Sequence, residues 1–390
     1  MASRPPKRNG CRRRATGSGI RGKFVAAYPL ISASGTGAGI YNNRYSHLSL
    51  ENTCIRTYKL CIVGFGNVGR ALVALLRRKE TELRNRYGVG WRITGVASRR
   101  LGWLTAQDGF PPEKLLAADF TGAHVARDVH EWLRMADADT LFEVSSLQAA
   151  TGQPAIDHIR AALEAGAHAI SANKGPAVHA YRELTDLAAA RERRFLFESA
   201  VMDGVPIFSL FRETLPAIEL RGFRGVLNST TNVVLEGLAA GMTFEESVRQ
   251  AQELGVAESD PTDDIEGVDA AVKVVALANV LMHAGLKLDD VNRQGIRGMT
   301  AEQLREASAS GEAWKLVCSA RRAKDGRVVA SVAPQRLKLS DPLALVKGTS
   351  SVISFETDVF PELIITEQDP GLEATAYGLL ADFLTAVRSS

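Results

Sequence analysis

Residues 59–69, K-L-C-I-V-G-F-G-N-V-G, constrain the fold of this chain more than any other stretch. Lys59 to Val63 is a short apolar run that suits a buried strand, Gly64-Phe65-Gly66-Asn67-Val68-Gly69 follows at once, and A-L-V-A-L-L opens a helical pattern reaching about Arg86. Strand, G-x-G-x-x-G turn and helix in that order form a dinucleotide-binding fingerprint. Gly64 allows the tight turn, Gly66 lets a pyrophosphate approach the backbone, and Gly69 lets helix pack on strand, while Asn67 and Val68 open a helix whose N-terminus faces the phosphates. The bland alternative is a tight turn with no ligand, which this context disfavours.

A second strand, Trp91 to Ala97, ends in Ser98-Arg99-Arg100. A site preferring NAD places Asp or Glu here for the ribose 2′-hydroxyl, whereas a hydroxyl and two guanidiniums suit a 2′-phosphate. The expectation is NADP in preference to NAD, with Arg99 as the main contact; the alternative is a solvated arginine pair. Strand and helix then alternate. Thr140 to Val144 reads as a strand ending in Ser145-Ser146, Ala155 to Ala165 as a helix stopped by Gly166, and Ala167 to Ser171 as a strand running into Ala172-Asn173-Lys174-Gly175-Pro176. A helix is expected over Val178 to Arg191 and a strand over Arg194 to Phe197. Ligands of parallel sheets lie at the carboxyl ends of strands, so Ser145, Asn173 and Lys174 are placed to meet cofactor or substrate. Lys174 reads equally well as a solvated turn lysine.

Further on, Asn228-Ser229-Thr230-Thr231-Asn232 precedes the helix V-V-L-E-G-L. Capping by Ser229 or Thr231 accounts for part of it. Five consecutive amide and hydroxyl residues exceed one cap, so a loop lining the substrate or nicotinamide pocket, with Asn228 and Thr230 as substrate contacts, is the sharper expectation. The stretch from Gly255 to Lys273, G-V-A-E-S-D-P-T-D-D-I-E-G-V-D-A-A-V-K, carries six acids and runs straight into V-V-A-L-A-N-V-L-M, which has to be buried. Asp269 and Lys273 stand at i and i+4 on a helix beginning near Gly267. As an exposed pair they are worth about 0.3–0.5 kcal/mol; flanked by Val268, Val272, Val275 and Ala276, they read instead as a partly buried functional pair. A lysine can supply the proton that hydride transfer to an aldehyde requires once burial or a neighbouring cation lowers its pKa.

Composition narrows the class. Ten of the 47 Lys and Arg residues and one of the 44 acids fall in the first 57 positions, leaving 37 bases against 43 acids in the remainder. A mildly acidic body carries no nucleic-acid footprint. No apolar run approaches the ~18 residues of a membrane span. The four cysteines are scattered without C-x-x-C spacing, which fits neither a disulfide framework nor a zinc site and suits a reducing, cytoplasmic setting. Residues 1–57, rich in Arg, Ser, Gly and Ala, read as a disordered leader, an organellar transit peptide or a segment upstream of the true start.

From about Lys59 onward the chain resembles homoserine dehydrogenase in its short form, without a fused aspartokinase or an ACT domain. The matching motifs are G-F-G-N-V-G, S-A-N-K-G-P, F-E-S-A-V-M-D-G-V-P, G-V-L-N-S-T-T-N, the acidic stretch above, and D-P-G-L-E-A-T-A-Y-G-L-L-A-D-F-L near the end. The resemblance implies an NAD(P)-dependent interconversion of L-homoserine and L-aspartate 4-semialdehyde. By that likeness Glu258 binds the substrate amino group, Asp264 and Asp269 line the reacting centre, Lys273 carries proton transfer or binds substrate, and Lys174 is a second catalytic lysine. Glu198, with carbonyls near Val201, Asp203 and Val205, matches a monovalent cation site for Na+ or K+, and Gly371 matches a closing cofactor contact. Two departures stand out: Met202-Asp203 where the family has Gly or Ala, and Asp369-Pro370-Gly371 where it has G-P-G.

The implied architecture is α/β. A Rossmann-type domain spans residues 58–197 and is completed by a C-terminal helix at about 371–390. An α+β catalytic and dimerisation domain with an open mixed sheet spans 198–370 and takes in the strands R-V-V-A-S-V-A-P and S-V-I-S-F-E-T. A homodimer follows from the resemblance, and regulation by threonine is not expected without an ACT segment. Aspartate-semialdehyde dehydrogenase is disfavoured because it needs a nucleophilic cysteine, whereas Cys61 lies in the first strand and Cys318 in a stretch that reads as helical. A non-catalytic NADP-binding or redox-sensing protein of the same fold is the alternative from another class.

Overall fold

The computed structural model describes residues 55–388; of the expected leader, residues 1–54 lie outside the described residues, whereas Arg56 and Thr57 already belong to the first strand. Strand β1 (Arg56–Val63) shows why a continuous apolar run forms a central strand. Leu60 and Ile62 enter one core with Leu72, Leu76, Leu379 and Phe383, whereas Cys61 and Val63 enter another with Trp132, Leu133 and Ala161. Successive side chains point to opposite faces, and helices cover both. Asn67–Tyr87 and Leu372–Arg388 supply the first layer, Val129–Ala136 and Ala155–Glu164 the second.

Six further strands complete this sheet: β2 (Val89–Ser98), β3 (Gly102–Thr105), β4 (His124–Ala126), β5 (Thr140–Glu143), β6 (His168–Ser171) and β7 (Phe195–Leu196). Their order is β4-β3-β2-β1-β5-β6-β7. β2, β1, β5, β6 and β7 are parallel, while β3 and β4 form an antiparallel edge that the sequence reading did not anticipate. The order reverses between β1 and β5, which opens a crevice at their carboxyl ends.

The second sheet contains β8 (Leu220–Val226), β9 (Val291–Arg293), β10 (Glu312–Arg322), β11 (Val328–Lys338), β12 (Ser351–Thr357) and β13 (Leu363–Glu367), in the order β13-β12-β8-β10-β11-β9. It is antiparallel except where β11 meets β9, so it is mixed. Helix Val268–Leu281 packs on β10 and β11 and buries Ala270 to Val272 and Val274 to Ala278. The expected α/β class with an open mixed second sheet is what forms.

Local expectations need correction in three places. Cys318 lies in β10, not in a helix; the preceding helix ends at Ala309. The helix expected over Val178 to Arg191 is two helices, Lys174–His179 and Tyr181–Ala190, because the backbone at Ala180 leaves the helical region (φ −140°, ψ 20°). Asn228 caps the helix Ser229–Ala239 by accepting from the Thr231 N–H at 2.9 Å, so Ser229 to Asn232 form its first turn instead of a loop.

Candidate active site

The first-sheet crevice fits a dinucleotide. Gly64 has φ 92°, and a Cβ there would overlap the main chain of Val144 and Ser145, so glycine brings the turn onto the end of β5. A Cβ at Gly66 would meet only the Gly64 carbonyl at 4.0 Å, which leaves room beside the turn, while at Gly69 it would touch Ile62 and Phe65 at 3.4 Å. Helix Asn67–Tyr87 has no side-chain cap and no acid in its first turn, so its leading N–H groups are available to an anion. Ser145 donates both its N–H and its hydroxyl to Glu143, and Asn173 ties Ser145 and Ser146 to β6 through its amide. Arg99 and Arg100 are exposed in the turn after β2. Gly371 opens the final helix with free space around it.

Lys174 carries this crevice into the second half of the chain. Asn173 caps the helix Lys174–His179 by accepting from the Gly175 N–H at 2.9 Å, and the Lys174 Nζ lies 3.1 Å from Asp269 Oδ1. Lys273 Nζ lies 3.0 Å from Asp269 Oδ2 and donates to the Leu227 carbonyl at 2.5 Å. The Asn228 amide donates to Asp269 Oδ2 at 3.1 Å and to Asp264 Oδ1 at 2.7 Å. Asp269 thus joins two lysines and an asparagine from three separate motifs, with each charged side chain only 17–19 % exposed.

Burial alone would raise the Asp269 pKa, but Lys174, Lys273 and the hydrogen bonds outweigh it and hold the carboxyl well below its ordinary range. Burial and the charge of Asp269 push Asp264 the other way, upward. Burial likewise would lower Lys273, yet Asp269 overrides it and the pKa is raised. This corrects the expectation of a lowered lysine pKa: Lys273 is held as an ammonium. Its three donors are not all used, since Leu227 and Asp269 account for two.

Other expected site residues are placed differently. Thr230 is buried and donates to the Val256 carbonyl, Ser229 donates to Thr349, and Asn232 to Gly348. Within the polar run Asn228 reaches both Asp264 and Asp269, and the Thr230 side chain also hydrogen-bonds Asp264. Glu258 sits on an exposed segment where its carbonyl accepts from Gln252. Glu198 is buried, and its carboxylate accepts the N–H groups of Ile207 (2.6 Å), Phe208 (2.7 Å) and Ser209 (2.8 Å). Asp203 accepts from Thr375 at 2.7 Å, and Met202 and Asp203 both have positive φ (54° and 52°), the conformation that glycine adopts most easily. Among the described residues no group of three or more His, Cys, Asp or Glu side chains is placed to hold a metal ion. The Cys318 thiol is buried and pushed up to about 12, so it is no nucleophile. A cavity of about 850 Å³ floored by Phe195, Phe197, Phe208 and Phe211 includes none of the lysine–acid cluster, and the chemistry of the cluster outweighs its size.

A family model for the homoserine dehydrogenase NAD-binding domain matches residues 64–198, and a model for homoserine dehydrogenase itself matches residues 206–384. The NAD(+)-dependent homoserine dehydrogenase of Pseudomonas canavaninivorans is 35% identical over 335 residues, covering 84% of this chain and 95% of the relative. This chain belongs to the homoserine dehydrogenase family. The homoserine dehydrogenase of Methanocaldococcus jannaschii is 34% identical over 340 residues, covering 85% of this chain and 99% of its own length. Among solved structures, a hyperthermophilic archaeal homoserine dehydrogenase mutant in complex with NADPH aligns with TM-score 0.73 at 27% identity, covering 86% of this chain and 99% of that one. The enzyme is accordingly an NAD(P)-dependent oxidoreductase acting on a CH–OH group.

Proposed function

We propose that the Lys174–Asp269–Lys273 cluster is the reacting centre for the interconversion of L-homoserine and L-aspartate 4-semialdehyde. A bound nicotinamide cofactor supplies or accepts the hydride. Lys273, held protonated by Asp269, directs its open N–H at the substrate oxygen and gives a proton to the alkoxide as it forms, leaving a neutral amine; the oxidative direction starts from that neutral amine, which takes the hydroxyl proton back. Lys174 holds the substrate from the cofactor side, Asp269 positions both ammonium groups, and Asn228 fixes Asp269 relative to Asp264. The observation that carries this reading is a carboxylate bridging two lysines from opposite halves of the chain. Lys273→Ala is expected to leave cofactor affinity unchanged and to lower kcat about 10²- to 10⁴-fold; near-normal turnover would overturn the assignment.

NADP is the preferred cofactor in this reading, because Arg99 and Arg100 stand at the end of β2 with no acid beside them. Arg99→Ala should raise the KM for NADP about tenfold and leave the KM for NAD within about twofold. Equal losses for both cofactors would remove Arg99 from the ribose site. Gly64, Gly66, Asn67, Val68, Gly69, Ser145 and Gly371 line the same cofactor path. For a cation, the three main-chain donors on Glu198 leave about one carboxylate lone pair. Together with the carbonyls at Val201, Asp203 and Val205 that set suits a monovalent ion. We also read the enzyme as a homodimer using its second sheet, where Val329 and Ile364 are exposed.

A further inference from the structure

Both hydrogen-bond donors of Ser145 are spent on one acceptor. The residue lies half-buried just past the end of β5, at the point where the strand order reverses. Its main-chain N–H reaches Glu143 Oε1 at 3.3 Å, and its hydroxyl reaches the same oxygen. An N–H can only donate, so Oε1 is the accepting oxygen and the hydroxyl hydrogen is directed to it as well. The Ser145 carbonyl already accepts from the Asn173 amide at 3.2 Å. Toward a ligand, the side chain is left with the lone pairs of its hydroxyl oxygen.

The surroundings of Glu143 hold that polarity in place. Its side chain is fully buried and alternates onto the face of Leu141, under helix Ala155–Glu164. There the His158 Nδ1 stands 3.5 Å from Oε1, and the His158 ring lies edge-on to Trp103. Neither Glu143 Oε2 nor His158 Nδ1 has a hydrogen-bond partner, so the bonds this carboxylate makes are those to Ser145. Its main chain is fixed too, because the Glu143 carbonyl accepts from the Ser171 hydroxyl at 3.3 Å and the Ala172 N–H at 3.0 Å. On the other side Gly64 packs so closely on Val144 and Ser145 that no Cβ fits. A buried acceptor in a fixed frame is costly to leave unpaired, which keeps the two Ser145 donors on Glu143.

The crevice is thereby sorted by polarity. The uncapped N-terminus of helix Asn67–Tyr87 presents donors, which suit phosphate. Ser145 presents acceptors only, which repel phosphate and suit the O–H and N–H groups of a nicotinamide riboside.

We propose that Glu143 is a positioning residue that makes Ser145 a one-way acceptor for a hydrogen-bond donor on the nicotinamide riboside half of the cofactor, a ribose hydroxyl or the carboxamide NH2. The inference rests on the assignment of Ser145 to the cofactor path.

The test is Glu143→Gln, whose amide can turn a donor toward the Ser145 hydroxyl, with Ser145→Ala and the double variant beside it. Binding to the full chain is titrated directly with NADH, NADPH and ADP, which carries adenosine and phosphates but no nicotinamide riboside. Glu143→Gln is expected to weaken both dinucleotides about tenfold and to leave ADP within about twofold, whereas a packing defect would move all three. Ser145→Ala should show the same split, and the double variant should lose no more than about twofold beyond either single change, because the two residues act as one unit. An equal loss for ADP, unchanged dinucleotide affinity in Glu143→Gln, or additive losses in the double variant would each overturn the proposal. With the 3-acetylpyridine analogue of the dinucleotide, which lacks the carboxamide N–H, a vanished Glu143→Gln loss assigns the donor to the carboxamide and a persisting loss assigns it to the ribose; both uphold the one-way acceptor. Should Glu143→Gln give no cooperative melt, Glu143→Asp is judged by the same split between dinucleotide and ADP. Unchanged dinucleotide affinity in Ser145→Ala would remove Ser145 from the cofactor path and sink the underlying reading, whereas a loss in Ser145→Ala without one in Glu143→Gln sinks the role of Glu143 alone.

Discussion

Asp269 and Asp382 are both acids taken out of water, and they end in opposite charge states. Asp269 is 19 % exposed and sits between two ammonium groups at 3.0 and 3.1 Å, which hold it ionised. Asp382 is 2 % exposed on the final helix, accepts the Glu198 N–H at 2.7 Å and has the Glu198 carboxylate as its charged neighbour. Burial first, then that neighbour, push Asp382 up to about 8, so it carries a proton at neutral pH. Removing an acid from water always favours its neutral form; the partner decides whether that tendency is reversed. The matched acid stands at the proposed reacting centre, and the unmatched one secures the seam between the final helix and residues 198–209.

The comparison breaks most visibly at Asp269. Asp269→Asn leaves Lys174 and Lys273 facing each other without their counter-charge, so kcat should fall by about 10³-fold and stability by about 3 kcal/mol. Turnover and urea unfolding check the two effects separately. Activity lost with full stability would show that the lysines relax into solvent and that the cluster is less rigid than its geometry implies.

Asp382→Asn tests the other side with a smaller effect. The folded pKa of Asp382 stands above its ordinary 3.8, so the native state keeps a proton that the unfolded chain has released between roughly pH 4 and 8. Stability from this group is full below the unfolded pKa and is lost as pH rises through about 8. Asn imitates the neutral acid at every pH. The variant should therefore lose less Tm than wild type between pH 6 and 9, by a few degrees at ~2 °C per kcal/mol, with kcat close to wild type. A variant that melts in parallel with wild type over this range would show that Asp382 is already ionised.

Much of the first half was legible because its signals are local. The alternation of Leu60, Cys61, Ile62 and Val63 between two cores follows from strand geometry, and Gly64 and Gly66 do what a strand-to-helix turn at a phosphate site requires. Lys174, Asp269 and Lys273 each stood out in the sequence as candidates, and the fold brings the two ammonium groups to 3.1 and 3.0 Å of the one carboxylate. The polar run at 228–232 was expected as a loop and forms a helix turn: several of its amides and hydroxyls satisfy the helix end and neighbouring carbonyls, which is the same chemistry that a binding loop uses.

The sequence by itself determined the parallel strands of the first sheet, the dinucleotide turn and the identity of the groups that can carry charge, since periodicity and turn chemistry act over a few neighbouring residues. Only the tertiary structure decided which charges meet. Lys174 lies far from Asp269 along the chain and 3.1 Å from it in space, Lys273 stays protonated because of that same acid, and Asp382 stays neutral because its charged neighbour is another carboxylate. Ionisation depends on distance and on exclusion of water, and both are properties of the packed chain.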